Sequence, residues 1–165
     1  MSKAFPELLI AFILSCWCGG CMGQSPFLHG AIERIEESGG GVDWHWSPEG
    51  IFFDLGHHPA RLGDQDVSRL MPTFRQFDQL KILDFTGTPI TNASLREIAT
   101  LNTLERVYLA ATKITPDGLL ELKKLPKLWY VTVPSERFTE DDVRSLQNQM
   151  PGVTIKRQKD PGEAP

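Results

Sequence analysis

The chain has 165 residues, 17 Lys+Arg against 21 Asp+Glu and a net charge of −4, with 41% hydrophobic and 23% charged residues. That length suits one domain and excludes a two-lobed enzyme with a cleft between large domains. The composition excludes wholesale disorder, and the acidic balance argues against a general binder of nucleic-acid phosphates.

The first element is a leader. Residues 8–14 form an uninterrupted apolar run, preceded by Lys3. The run is shorter than the ~20 residues needed to span hydrocarbon. It fits the ~7–15 apolar residues of a secretory signal. Ile13-Leu14-Ser15-Cys16 resembles a bacterial lipoprotein lipobox, and Cys18-Gly19-Gly20-Cys21 is a poorer match. The resemblance implies lipid on Cys16 and residence at the outer face of a membrane; an ordinary cleaved signal or an N-terminal helix is the alternative. Cys16, Cys18 and Cys21 are the three cysteines, so the chain beyond residue 21 holds no disulfide or thiolate metal site. Cys18 and Cys21 sit beside a leader rather than in a βα unit, which argues against redox chemistry.

Residues 24–50 read as a cap. Leu28, Ala31, Ile32 and Ile35 make a helical stripe that ends at Gly39-Gly40-Gly41. Val42, Trp44 and Trp46 alternate as in a strand, and Ser47-Pro48-Glu49-Gly50 suits a type I turn into a second strand at residues 51–55.

Residues 51–156 repeat. Leu80, Leu83, Phe85, Thr88 and Ile90 recur 24 positions later as Leu104, Val107, Leu109, Thr112 and Ile114. A third copy runs through Leu128, Val131, Val133 and Phe138. Leu95, Leu119 and Val143 follow at the same spacing, each three residues before Ile98, Leu122 and Leu146 on one helical face. Thr91, Thr115 and Thr139 fall at helix starts, where a hydroxyl accepts from an orphan amide. Pro116 suits the first helical position, and Asp142 completes an acidic capping box with Thr139. A degenerate copy places Phe52, Leu55 and Leu62 ahead of Leu80, Leu83 and Ile90 by 28, with Val67 and Leu70 ahead of Leu95 and Ile98. The extra four residues predict one further helical turn. Ile51, Phe53 and Leu55 alternate equally well, so two registers are open for that strand.

The pattern L-x-x-L-x-L-x-x-T-x-L at fixed spacing resembles a short bacterial leucine-rich-repeat protein, with a Thr-bearing variant of the cysteine-containing repeat class. The resemblance implies an α/β leucine-rich-repeat solenoid: a short right-handed horseshoe, parallel strands on its concave side, helices on its convex side, and a helix-hairpin cap. At the C-terminal end Pro151-Gly152 stops the last helix, residues 153–155 make a short strand, and residues 157–165 are expected to be disordered.

Residues between the inward leucines face the concave side: Ile82, Asp84 and Thr86; Arg106, Tyr108 and Ala110; Tyr130, Thr132 and Pro134. The degenerate copy adds Asp54, Gly56 and His58 opposite them. Aromatic residues and Arg are enriched at binding hot spots. The candidate binding residues are therefore Asp84, Arg106, Tyr108, Trp129, Tyr130 and Thr132, on a shallow surface suited to a protein or extended polymer. The same aromatics also suit plain cover of neighbouring side chains.

A catalytic role finds no support. The chain has no G-x-S-x-G, no H-E-x-x-H and no phosphate-loop Lys-Ser/Thr after its glycine run. His57-His58 with Asp54, Asp64 and Asp66 is the best polar cluster for a metal or hydrolase site. Adjacent residues of a strand point to opposite faces, which disfavours it. The expectation is a non-catalytic binding module, exported to the cell envelope. It is expected to be monomeric, with no metal, no cofactor and no nucleic-acid partner. The alternative is a self-assembling structural protein that associates through its ends or the Trp44/Trp46 hairpin.

Overall fold

Strand and helix alternate along most of the chain. The computed structural model describes residues 33, 43–47, 50–54 and 62–159. All but Glu33 belong to one unit, residues 34–165, described here. Cys16, the helical stripe at residues 28–35 apart from Glu33, the turn residues Pro48 and Glu49, Leu55, and His57 and His58 lie outside the described residues.

The strands are β1 (Asp43–Ser47), β2 (Gly50–Asp54), β3 (Leu80–Asp84), β4 (Arg106–Tyr108), β5 (Tyr130–Pro134) and β6 (Thr154–Gln158). They form one six-stranded sheet in chain order. β1 and β2 pair antiparallel, so the expected hairpin is present; β2 through β6 pair in parallel. The helices are α1 (Asp64–Phe74), α2 (Asn92–Ile98), α3 (Pro116–Leu119) continued by a 3-10 segment (Leu120–Lys124), and α4 (Glu140–Gln149). The fold is α/β, and each parallel strand from β2 to β5 is followed by a helix.

The 24-residue spacing sets the register of the ladder. Leu83 pairs with Val107, Val107 with Val131, and Val131 with Ile155. All four are buried, as are Leu80, Leu104 and Leu128 at the strand entries and Phe85, Leu109 and Val133 at the exits. Leu95, Ile98, Leu119, Leu122 and Leu146 fill the helix side of this core. No single repeat encloses both its strand and its helix, so each layer is stable only against its neighbours. α1 has 11 residues against seven in α2, which is the added turn expected from the longer spacing.

Polar side chains close the loops. Thr88 and Thr112, buried and 24 apart, donate their hydroxyls to the carbonyls of Phe85 and Leu109 at 2.6 and 2.7 Å. The repeating Thr hydroxyl thus closes the turn after each strand from inside, and the Phe85 carbonyl also accepts from the Thr88 N–H at 3.0 Å. Thr91, Thr115 and Thr139 are the expected N-caps, Pro116 opens α3, and Asp142 accepts from the Thr139 N–H at 2.8 Å in a capping box. The hydroxyl and N–H of Thr139 hold the Asp142 carboxyl below its usual range.

The helix starts are also stapled to one another. Asp64, at the start of α1, accepts from the Thr91 N–H (2.8 Å), the Thr91 hydroxyl (2.7 Å) and the buried Ser94 hydroxyl (2.5 Å). Asn92, at the start of α2, does the equivalent for the next helix. It accepts from the Thr115 N–H (3.0 Å) and donates to the Thr115 hydroxyl (2.9 Å). The following equivalent residue is Pro116, whose side chain has no polar atom to continue the series.

The Asn92 staple occupies the space a side chain at 118 would need. A Cβ on Gly118 would lie 2.0 Å from Asn92 Oδ1 and 2.1 Å from its Cγ. Gly118→Ala is therefore expected to destabilise by about 1–2 kcal/mol through loss of the Asn92–Thr115 bonds, although alanine gains up to about 1 kcal/mol in helix propensity. A urea midpoint raised by this substitution would refute the staple.

Gly87 (φ 77°) and Ala111 (φ 53°) occupy equivalent turns in the left-handed region. An L side chain there costs about 1–2 kcal/mol. Ala111→Gly is expected to raise stability by about 0.5–1 kcal/mol, and Gly87→Ala to lower it by about 1 kcal/mol. Chemical denaturation with unchanged slope is the check.

Three expectations are corrected. In the first parallel strand the pairs are Ile51–Leu80, Phe52–Ile82, Phe53–Leu83 and Asp54–Asp84, with a register shift between Ile51 and Phe52. Phe53, fully buried, takes the inward place, and Asp54 rather than Gly56 stands opposite Asp84. The extra residue is Lys81 on β3, passed over between the partners of Ile51 and Phe52, so from Phe52 onward the two strands pair at a spacing of 30 rather than 28. Second, the last strand continues beyond residue 155 through Gln158, whose carbonyl accepts from the Ser135 N–H at 3.0 Å, so the ordered array passes residue 156. Third, Thr86, Ala110 and Pro134 are buried instead of lining an open face.

Candidate functional site

The site is the sheet face opposite the helices, and its contents follow from pleat and register. Residues between the buried positions alternate outward. Pairing then places them in two rows across the strands. One row is Ile82, Arg106, Tyr130 and Thr154; the other is Asp54, Asp84, Tyr108, Thr132 and Lys156. Lys81, Glu105 and Trp129 continue the face at the strand entries, where Lys81 Nζ and a Glu105 carboxylate oxygen pair at 2.9 Å.

Aromatic rings gather at β4 and β5. The Tyr108 and Tyr130 centroids are 5.8 Å apart, and those of Trp129 and Tyr130 5.7 Å, each pair tilted by 57°. Such tilted contacts place a ring edge near a neighbour's face. The Arg106 guanidinium lies 5.3 Å from the Trp129 centroid, and Lys156 Nζ 5.8 Å from that of Tyr130. Both distances allow cation–π attraction. Trp129 is 45% exposed, the one exposed large hydrophobic residue among the described residues. Tyr108, Tyr130, Arg106 and Asp84 are half-buried.

The structure thus brings together Arg106, Tyr108, Trp129 and Tyr130, with Asp84 one strand away. Asp84 also shapes the chain locally, because its carboxylate accepts from the Thr86 N–H at 2.8 Å. Thr132 departs from expectation. It is 2% exposed and its hydroxyl accepts from the Leu109 N–H at 3.2 Å, so it fixes β4 against β5 rather than meeting a ligand. Tyr108 and Lys156, its neighbours in the row, flank it.

Lys156 was not among the residues singled out from the sequence. Its signal was present: it lies 24 positions after Thr132 in the same row. Of the polar cluster weighed for a metal, Asp64 is engaged by Thr91 and Ser94, and Asp66 accepts from the Gly63 N–H and faces Arg69. Among the described residues no group of three or more His, Cys, Asp or Glu is placed to hold a metal ion.

No family model matches the chain, and no curated protein matches it either. A solved structure described as "Leiomodin-1 Actin-Binding Site 2 (ABS2)" is similar at a TM-score of 0.55 and 14% identity, covering 81% of this chain and 80% of that one. At that identity the likeness concerns the fold alone.

Proposed function

We propose that the chain is a leucine-rich-repeat solenoid that binds a partner protein through its open sheet face. The observation that carries this is the cluster of Tyr108, Trp129, Tyr130 and Arg106 on one patch of that face. Aromatic rings supply large, rigid contact area at small entropic cost, and aromatic and Arg residues dominate binding energy where they cluster. The solenoid is supported by the 24-residue register of the ladder and by the likeness in fold to another solved structure. The leader, with Cys16 as the residue that would carry lipid, supports export to the cell envelope and anchoring at a membrane. Among the described residues no helix is long and apolar enough to cross one.

The test is recovery of a partner from an envelope fraction on the immobilised chain, with the Tyr108→Ala/Tyr130→Ala double variant in parallel. Affinity for the recovered partner is expected to fall by about tenfold or more in the double variant. Circular dichroism checks that both proteins are folded. A partner that binds both proteins equally would overturn the proposal.

A further inference from the structure

The sheet ends at β6, with no further strand beyond it among the described residues. An edge strand presents N–H and C=O groups that a second chain can join. In a parallel ladder, alternate residues turn their backbone to opposite neighbours. Thr154 and Gln158 turn toward β5: the Thr154 N–H donates to the Trp129 carbonyl at 2.7 Å, and the Gln158 carbonyl accepts from the Ser135 N–H at 3.0 Å. Residues 153, 155 and 157 therefore turn to the outer edge.

The side chain of Gln147 reaches that edge from α4. Its Nε2 donates to the Val153 carbonyl at 2.5 Å, and its Oε1 accepts from the Ile155 N–H at 3.4 Å. A residue of a next parallel strand would make the same pair of bonds with its main-chain N–H and C=O. The repeat spacing shows the equivalence. The Glu105 carbonyl accepts from the Tyr130 N–H of β5 at 3.3 Å, the Trp129 carbonyl from the Thr154 N–H of β6, and the Val153 carbonyl, 24 residues on, from Gln147. Arg157 closes the same end from the helix side. It pairs with Val133 and continues the apolar column of Phe85, Leu109 and Val133 at the same spacing. Its guanidinium forms an ion pair with Glu140 and donates to the Ser135 carbonyl at 3.1 Å. An inward charge on an edge strand opposes a further layer, which would have to bury it.

We infer that Gln147 stands in for the next strand and, with Arg157, stops a second copy of this chain from pairing at β6. Exposed Lys156 and Lys159 reinforce the stop, since two β6 edges laid side by side would bring like charges together. The inference concerns the C-terminal end of the ladder and does not depend on the binding role of the sheet face proposed above. It predicts that this end becomes a site of self-association once the two side chains are removed.

Amide hydrogen exchange and light scattering of the full chain, each over a concentration series, test it. In Gln147→Leu, which keeps apolar volume and loses the carboxamide, exchange of the Ile155 amide is expected to speed up by about five- to tenfold, with β4 and β5 amides unchanged. In Gln147→Leu/Arg157→Val the mass is expected to rise with concentration toward about twice the parent's, as two edges join symmetrically. The Ile155 and Arg157 amides are expected to slow in step, which places the new contact at β6. Circular dichroism checks folding, and Gln147→Leu/Arg157→Thr replaces the double variant if that one unfolds. Ile155 exchange unchanged in Gln147→Leu would overturn the inference. So would a folded double variant whose mass follows the parent's at every concentration, or one that associates while Ile155 and Arg157 exchange stays fast. A parent chain whose own Ile155 exchange slows with concentration already pairs at this edge, and that result overturns it as well.

Discussion

Phe53→Ala is expected to cost about 3–5 kcal/mol, the usual range for deleting a buried aromatic side chain. Phe53 has no exposed surface, and its ring sits 5.7 Å from that of Phe74 and 5.4 Å from that of Phe77. It lies where the antiparallel hairpin joins the parallel ladder, opposite Leu83. Its loss opens a cavity between β2 and the C-terminal end of α1, which the surrounding backbone fills only in part. Total stability of a domain this size is about 5–15 kcal/mol, so the variant is expected to be marginally folded at ambient temperature. Phe53→Leu retains most of the volume and is expected to lose much less. Urea unfolding of the two variants is the measurement. A loss under about 1 kcal/mol for Phe53→Ala would show that Phe53 does not occupy the inward place.

Asp64→Ala is expected to cost about 2–3 kcal/mol, because three donors from α2 lose a charged acceptor and the buried Ser94 hydroxyl is left without a partner. Asp64→Asn is expected to be mild. Asn92 performs the same task toward Thr115, accepting with its oxygen and donating with its nitrogen, so an amide suits this geometry. Burial raises the Asp64 carboxyl, but the Ser94 and Thr91 donors outweigh it and leave the carboxyl below its ordinary value of 3.8. A carboxyl depressed in the folded state contributes stability that is full above its unfolded pKa and is lost as pH falls through the folded one. The stability gap between the parent chain and Asp64→Asn is therefore expected to close as pH falls below about 4. Denaturation midpoints from pH 7 down to pH 3 check this; a gap that widens toward acid would rule out the depressed carboxyl.

Much of the ladder was legible because its signals are local and periodic. A Thr that caps a helix, a Pro that opens one and a Leu that returns every 24 residues each act through neighbours in sequence or through identical neighbours in the next layer. The β2 register was not legible, because a 28-residue offset sets Phe52 and Leu55 with Leu80 and Leu83 while alternation sets Ile51 and Phe53 on one face, and the extra β3 residue opposite the step from Ile51 to Phe52 decides between them. The helix staples were hidden for a different reason. Asp64 and Asn92 differ in type and stand 28 apart, so no shared letter marks their common role.

The candidate site divides in the same way. Spacing alone aligned Arg106, Tyr108 and Tyr130 on one face and put Trp129 at its edge, since pleat and period settle which residues point outward. Sequence could not place the Arg106 guanidinium over Trp129 or Lys156 over Tyr130, nor remove Thr132 from the surface, because side-chain direction and cover depend on what adjacent strands carry. The amino-acid order by itself determined the layered α/β ladder and its outward residues, through periodicity of hydrophobic burial. Only the assembled tertiary structure decided the first register, the helix staples and the packing of the aromatic patch, because each depends on elements more than 20 residues apart in the chain.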